Sequence, residues 1–161
     1  NTQLGLGNTD NQNTPILCSS LLNEYIFDFK CGAKHTLALV INQEVLGCGS
    51  NTWGQLGSEG CKNIDSFQKI QSLSDITRIE CGNKNSICLD INNNIYVFGA
   101  NGHGQLGLGD TDNRYKPIKH PLLSNIIDTS SRGEHTFVKT SDNEIYAFGR
   151  NSHLQLGTLK R

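Results

Sequence analysis

Five histidines, six cysteines and one glycine-rich stretch are the groups of this 161-residue chain with the most chemistry to offer. The histidines are His35, His103, His120, His135 and His153. The cysteines are Cys18, Cys31, Cys48, Cys61, Cys81 and Cys88, and no two form the Cys-x-x-Cys pair of the commonest zinc sites. Most of them sit inside apolar segments, which reads as free, mostly buried thiols of a reducing compartment rather than a disulfide framework. Gly102-His103-Gly104-Gln105-Leu106-Gly107 matches the dinucleotide fingerprint, but that fingerprint needs a helix to begin there, and Leu108-Gly109-Asp110-Thr111-Asp112-Asn113 is a turn sequence. Asp110 to Arg114 echoes a calcium loop, yet it lacks the glycine at its sixth position and has Pro121 where a glutamate should close it. A phosphate loop, a nucleophile elbow and a fixed pair of carboxylates are likewise missing from the sequence. The expectation is therefore no catalytic residue, no metal and no cofactor.

A repeat organises these residues. Gln-Leu-Gly occurs four times, beginning at Gln3, Gln55, Gln105 and Gln155, with steps of 52, 50 and 50 residues. Cys31-Gly32 recurs as Cys81-Gly82. Gly49, Gly99 and Gly149 keep the interval, and so do Asn51, Asn101 and Asn151. Independent landmarks that share one period mark a repeat architecture.

Each period reads as short strands. A brief extended piece covers Phe29–Cys31 or Ile79–Cys81 and ends at Gly. A second runs through Thr36–Val40, Ser86–Asp90 and Thr136–Lys139, rich in apolar and β-branched residues. Turns follow at Asn42-Gln43, Asn92-Asn93 and Asp142-Asn143. A third strand covers Val45–Cys48, Ile95–Phe98 and Ile145–Phe148, and a fourth piece carries Pro15-Ile16-Leu17 or Pro117-Ile118-Lys119. Four short strands per period is one blade of a β-propeller. The repeats are placed at roughly 3–54, 55–104 and 105–154, with a partial repeat at 155–161. Leu4, Leu56, Leu106 and Leu156, each between polar neighbours, are expected to pack one blade on the next. His35 and His135 share a repeat position and are expected to hydrogen-bond locally at a strand start.

Composition narrows the function classes. Hydrophobic residues make up 35% and charged residues 18%, while 18 Asn and 17 Gly disfavour helices. Fourteen basic and fifteen acidic residues give a net charge of −1, so there is no basic surplus for nucleic acid. Apolar runs fall short of the roughly 20 residues of a membrane span, so no membrane insertion is expected. The polar start, without Met or a secretion signal, reads as an internal piece of an intracellular protein, cytoplasmic or nuclear.

Gly99-Ala100-Asn101-Gly102-His103-Gly104-Gln105-Leu106-Gly107-Leu108-Gly109 resembles the signature loop of the regulator of chromosome condensation repeat. Cys31-Gly32-Ala33-Lys34-His35-Thr36 resembles that family's second signature. The resemblance covers essentially the whole chain and implies an all-β fold, an arc of about three four-stranded blades from a seven-bladed propeller. Departures are visible: Gln43, Asn93 and Asn143 stand where the family's turn has glycine. Ser131-Arg132 replaces Cys-Gly, Asn85 replaces the His, and Leu154 replaces a loop Gly.

Family members include exchange factors for the GTPase Ran, domains of large ubiquitin ligases, and scaffolds. In the exchange factors, the residues between Cys-Gly and His face the GTPase and are often acidic. Here those positions end in Lys34, Lys84 and Glu134. The loop tips carry Trp53, His103 and His153 at one repeat position. These six are the candidate protein-binding residues. The sequence points to a protein-interaction scaffold with protein partners. The alternative is a guanine-nucleotide exchange factor for a small GTPase of the Ran type. A charge reversal at two of three contact positions works against that alternative.

Overall fold

The structure, a computed structural model, describes residues 2–157. Eleven strands and one turn of 3-10 helix (Ser19–Leu21) account for its regular elements. The first sheet joins β1 (Ile26–Cys31), β2 (His35–Val40), β3 (Val45–Gly49) and β4 (Ile64–Lys69) in chain order. The second joins β5 (Ile76–Cys81), β6 (Asn85–Asp90), β7 (Ile95–Gly99) and β8 (Arg114–Lys119) in the same way. The third has three described strands, β9 (Ile126–Arg132), β10 (His135–Thr140) and β11 (Ile145–Gly149). All pairings are antiparallel. The fold is thus an all-β propeller arc.

Sheets and repeats are out of step. Residues 55–104 supply β4 to the first sheet and β5–β7 to the second, and residues 105–154 supply β8 to the second and β9–β11 to the third, so these two repeats tie neighbouring sheets together covalently. Pro15-Ile16-Leu17, expected as a fourth strand, lies in no strand, and Ile16 and Leu17 are exposed.

The sheets stack face to face. β6 is buried at every residue because the second sheet has a neighbour on both faces. β10, at the same repeat position, alternates between buried and half-buried residues, as a sheet covered on one face should. Between the first two sheets, Leu37, Leu39, Val45 and Leu56 meet Ile76, Ile79, Cys88 and Phe98. Between the second and third, Ile87, Leu89, Ile95 and Leu106 meet Ile126 and Val138. Leu56 and Leu106 are the expected blade-to-blade pegs, 1% and 0% exposed. Leu4 is exposed and Leu156 half-buried.

The β2–β3, β6–β7 and β10–β11 hairpins turn on a residue in the left-handed region: Gln43, Asn93 and Asn143, with φ of 69°, 61° and 64°. Each turn also serves the stacking. The Gln43 carbonyl accepts the Ile76 N–H at 3.0 Å, and the Asn93 carbonyl accepts the Ile126 N–H at 3.1 Å. Along the inner edge, β1, β5 and β9 run side by side and pair their charges, Lys30 with Glu80 at 3.5 Å and Arg78 with Asp128 at 2.8 Å.

The loop after each third strand is tied by its own side chains. Asn51 Oδ1 accepts the Leu56 N–H at 2.9 Å, and Asn101 Oδ1 accepts the Leu106 N–H at 2.9 Å. Gln55 Oε1 accepts the Trp53 N–H at 2.9 Å, and Gln105 Oε1 does the same for His103 at 2.9 Å. These Asn and Gln side chains are buried and fill bonds the loop backbone would otherwise lack. At Gly54 a side chain is excluded twice. Its φ is 83°, and a Cβ there would lie 2.5 Å from the Tyr115 Cα of β8.

No helix among the described residues is long and apolar enough to cross a membrane.

Candidate functional site

The β1–β2, β5–β6 and β9–β10 hairpin loops carry Lys34, Lys84 and Glu134, and their backbones are chained across the sheets. The Ala33 N–H donates to the Asn83 carbonyl at 3.0 Å, and the Asn83 N–H donates to the Gly133 carbonyl at 2.7 Å. The Lys34, Lys84 and Glu134 carbonyls then accept the N–H of Ser50, Ala100 and Arg150 at 2.7, 2.9 and 2.8 Å. Each hairpin is thereby fixed to the strand whose loop carries the next tip.

Below this chain lies a second, side-chain link. His35, 0% exposed, meets Ser86 Oγ of the second sheet through Nε2 at 3.0 Å. Ser86 Oγ donates onward to the Gln55 carbonyl at 2.6 Å, so the Ser86 hydroxyl has its proton committed and His35 is the donor. This overturns the expectation of a local hydrogen bond at a strand start: the partner is on the neighbouring sheet. Asn85, at the same position one repeat on, donates from Nδ2 to Ser131 Oγ at 3.3 Å in the third sheet. His135 is half-buried, with its ring edge-on to Phe137 at 6.1 Å. Burial pulls the His35 pKa down from 6.5 to about 4, so the ring is neutral near pH 7. Its Nδ1 faces Gly32, where no side chain would fit.

On the exposed side, a loop tip of one sheet meets the hairpin of the next. Lys84 Nζ stands 5.2 Å from the centre of the Trp53 ring, a cation over an aromatic face. His103 Nε2 lies 3.4 Å from Glu134 Oε2, and Arg150 donates to the same oxygen at 2.9 Å. Trp53, Lys84, His103, Gln105, Asn113 and Glu134 line one shallow groove. Four of the six sequence candidates therefore come together. Lys34 is exposed, and the tip position that would face it is Asn1, outside the described residues. His153 is exposed and bonds Ser152 of its own loop at 3.0 Å.

The groove offers an aromatic face, cations and one carboxylate, which suits recognition. Among the described residues no three His, Cys, Asp or Glu side chains gather to hold a metal ion. His120 is occupied structurally: Nε2 bonds the Gly107 carbonyl at 2.9 Å, while Nδ1 accepts the N–H of Leu122 and Leu123. The cysteines are all unpaired, but only Cys48, Cys81 and Cys88 are buried, half of the six where most were expected to be. Burial pushes the Cys48 thiol up to about 12, which makes it inert as a nucleophile. Sequence reasoning missed Arg150, because the repeat places Ser50 and Ala100 at its position and gives it no periodic signal.

Relatives share this architecture. A solved structure of Prp20p from Saccharomyces cerevisiae aligns over 99% of this chain and 41% of that one, at 24% identity and a TM-score of 0.87, which speaks for the fold. The bovine secretion-regulating guanine nucleotide exchange factor is 47% identical over 55 residues, 34% of this chain and 12% of that protein. The human E3 ubiquitin-protein ligase HERC2 is 32% identical over 82 residues, 48% of this chain and 2% of that protein. The chain thus spans a small part of the curated relatives it matches. The regulator of chromosome condensation (RCC1) repeat model matches residues 1–39, 42–89 and 92–138, most of the chain. With its signature loops, its period and its stacked sheets all agreeing, the chain belongs to the regulator of chromosome condensation repeat family.

Proposed function

We propose that the chain is a protein-interaction platform that docks a partner across the row of Trp53, Lys84, His103 and Glu134, with Lys34 and His153 as outer members. The observation that carries this reading is Trp53: it is 39% exposed on a loop tied down by buried Asn51 and Gln55, with Lys84 laid over its face. A large aromatic held on a rigid frame beside a cation is the composition of an interface anchor, because little side-chain entropy is lost on binding. Six unpaired thiols suit a reducing compartment, cytoplasmic or nuclear, for that partner. The repeats 3–54, 55–104 and 105–154 act as one array, since the second and third each contribute strands to two sheets.

The test compares affinity capture by the wild-type chain with capture by a Trp53→Ser, Lys84→Glu double variant. Proteins held by the wild type should bind the variant about tenfold or more weakly, with no change in thermal midpoint. Equal retention would move the binding face elsewhere.

A second reading is favoured by the bovine relative, whose name describes a guanine nucleotide exchange factor, and by Prp20p, whose structure is described with its binding to Gsp1p and histones. Under it, the same row would hold a Ran-type GTPase in its nucleotide-free form. A nucleotide-release assay separates the two readings.

A further inference from the structure

The groove beside Trp53 lies where the second sheet meets both of its neighbours. Trp53 comes from the β3–β4 loop, Lys84 from the β5–β6 hairpin, Gln105 and Asn113 from the β7–β8 loop, and Glu134 from the β9–β10 hairpin. Its hydrogen-bonding sense is set by bonds inside the β7–β8 loop. Gln105 is 3% exposed, and its Oε1 is taken by the His103 N–H at 2.9 Å. Asn113 is half-buried, and its Oδ1 is taken by the Asn101 N–H at 2.9 Å. A backbone N–H can only donate, so each carboxamide must turn its oxygen to the loop. The NH2 groups are left for the groove that both residues line, and neither has a hydrogen-bond partner among the described residues.

The charges agree in sign with these donors. Lys84 Nζ stands 5.2 Å from the centre of the Trp53 ring, and among the described residues no carboxylate lies within ion-pair reach of it. The one carboxylate of the groove is committed, since Glu134 Oε2 accepts from Arg150 at 2.9 Å and has His103 Nε2 at 3.4 Å. Asp110, in the loop behind, is held by Arg114 at 2.6 Å and by Asn101 Nδ2 at 3.1 Å. The groove therefore presents an ammonium and two amide NH2 groups. Its remaining polar side chain, the Thr111 hydroxyl, can play either role.

We propose that the groove selects its partner by a side-chain carboxylate: an Asp or Glu of an acidic peptide segment seats between Lys84, Gln105 and Asn113, with a neighbouring residue against Trp53. This rests on the platform reading and adds the chemistry of the partner to it. A carboxylate accepts from all three groups, and hydrogen bonds to an ionised acceptor are the stronger kind. A Lys or Arg side chain has only donors to offer, so it would meet donors and find Glu134 already paired.

The test uses fluorescence anisotropy of a short labelled peptide of alternating Glu and Ala, beside versions with Gln or Lys in place of Glu. The intact wild-type chain should hold the Glu peptide about tenfold or more tightly than either control. Two near-isosteric variants then read the sign of the site. Asn113→Asp keeps the oxygen that holds Asn101 and replaces the NH2 by a second oxygen, so it should weaken the Glu peptide by about fivefold. Glu134→Gln keeps an acceptor for Arg150 and removes a negative charge, so it should tighten the same peptide by about threefold. Thermal midpoints show that each variant is folded, and if Asn113→Asp is not, Glu134→Gln decides. Failure to bind the Glu peptide, equal binding of the Lys peptide, a folded Asn113→Asp that binds as well as the wild type, or a Glu134→Gln without a gain would each overturn the proposal. Affinity capture by the Trp53→Ser, Lys84→Glu variant reports on the platform separately. Partners lost there while the Glu peptide fails to bind would leave the platform standing and remove its carboxylate selectivity.

Discussion

With its ring out of solvent and Ser86 as its hydrogen-bond partner, His35 holds a pKa of about 4 against 6.5 in the unfolded chain. Between those values the unfolded chain binds a proton that the folded chain does not, so stability is present above pH 6.5 and falls as the pH drops toward 4. The loss from this group is about 2 kcal/mol by pH 5, measurable by urea unfolding at pH 7.5 and pH 5. His35→Asn copies the residue that makes the equivalent link at position 85, and should remove most of that pH dependence while retaining the fold. A variant as pH-sensitive as the wild type would place the titrating group elsewhere. Gln43 makes a second residue-scale case. It sits at φ 69°, where a side chain costs about 1 kcal/mol, and its backbone bonds survive without the side chain. Gln43→Gly should therefore raise stability by about 1 kcal/mol, and a lower unfolding midpoint would contradict the turn geometry.

At the scale of elements, the tripeptide loops do more than turn the chain. Leu106 is fully buried between the second and third sheets, its N–H is fixed by Asn101 Oδ1, and the Gln105 carbonyl accepts Thr136 Oγ1 at 3.0 Å across the same junction. Leu106→Ala should cost about 2–5 kcal/mol in chemical denaturation, and an unchanged midpoint would show the peg to be dispensable. Most strands were legible from β-branched and apolar runs closed by glycine, because a 50-residue period repeats the evidence for each one. The first strands came out too short in that reading. Asp28 and Arg78 look like loop residues by polarity and fell outside those pieces, yet they lie in β1 and β5, and Arg78 pairs with Asp128 of β9 across the inner edge. Pro15–Leu17 was misread for the opposite reason: its sequence is that of a strand, but strand structure requires a neighbour to pair with.

The whole molecule makes its candidate surface by stacking. Trp53 and Lys84 are 31 residues apart in the chain, as are His103 and Glu134, and each pair meets because a loop of one sheet overhangs a hairpin of the next. The period gave these residues a shared position without saying which would touch, since the offset between repeat and sheet is set by the outer strands β4 and β8. The result is an exposed row of one aromatic ring, cations and a carboxylate, built on a frame whose polar groups bond one another. That account is tested most directly by release of fluorescent GDP from a panel of purified small GTPases, Ran-type included, in the presence of the chain. A recognition platform leaves the release rate at its intrinsic value for every member of the panel. Acceleration by orders of magnitude for any one of them would contradict the platform reading and establish an exchange factor.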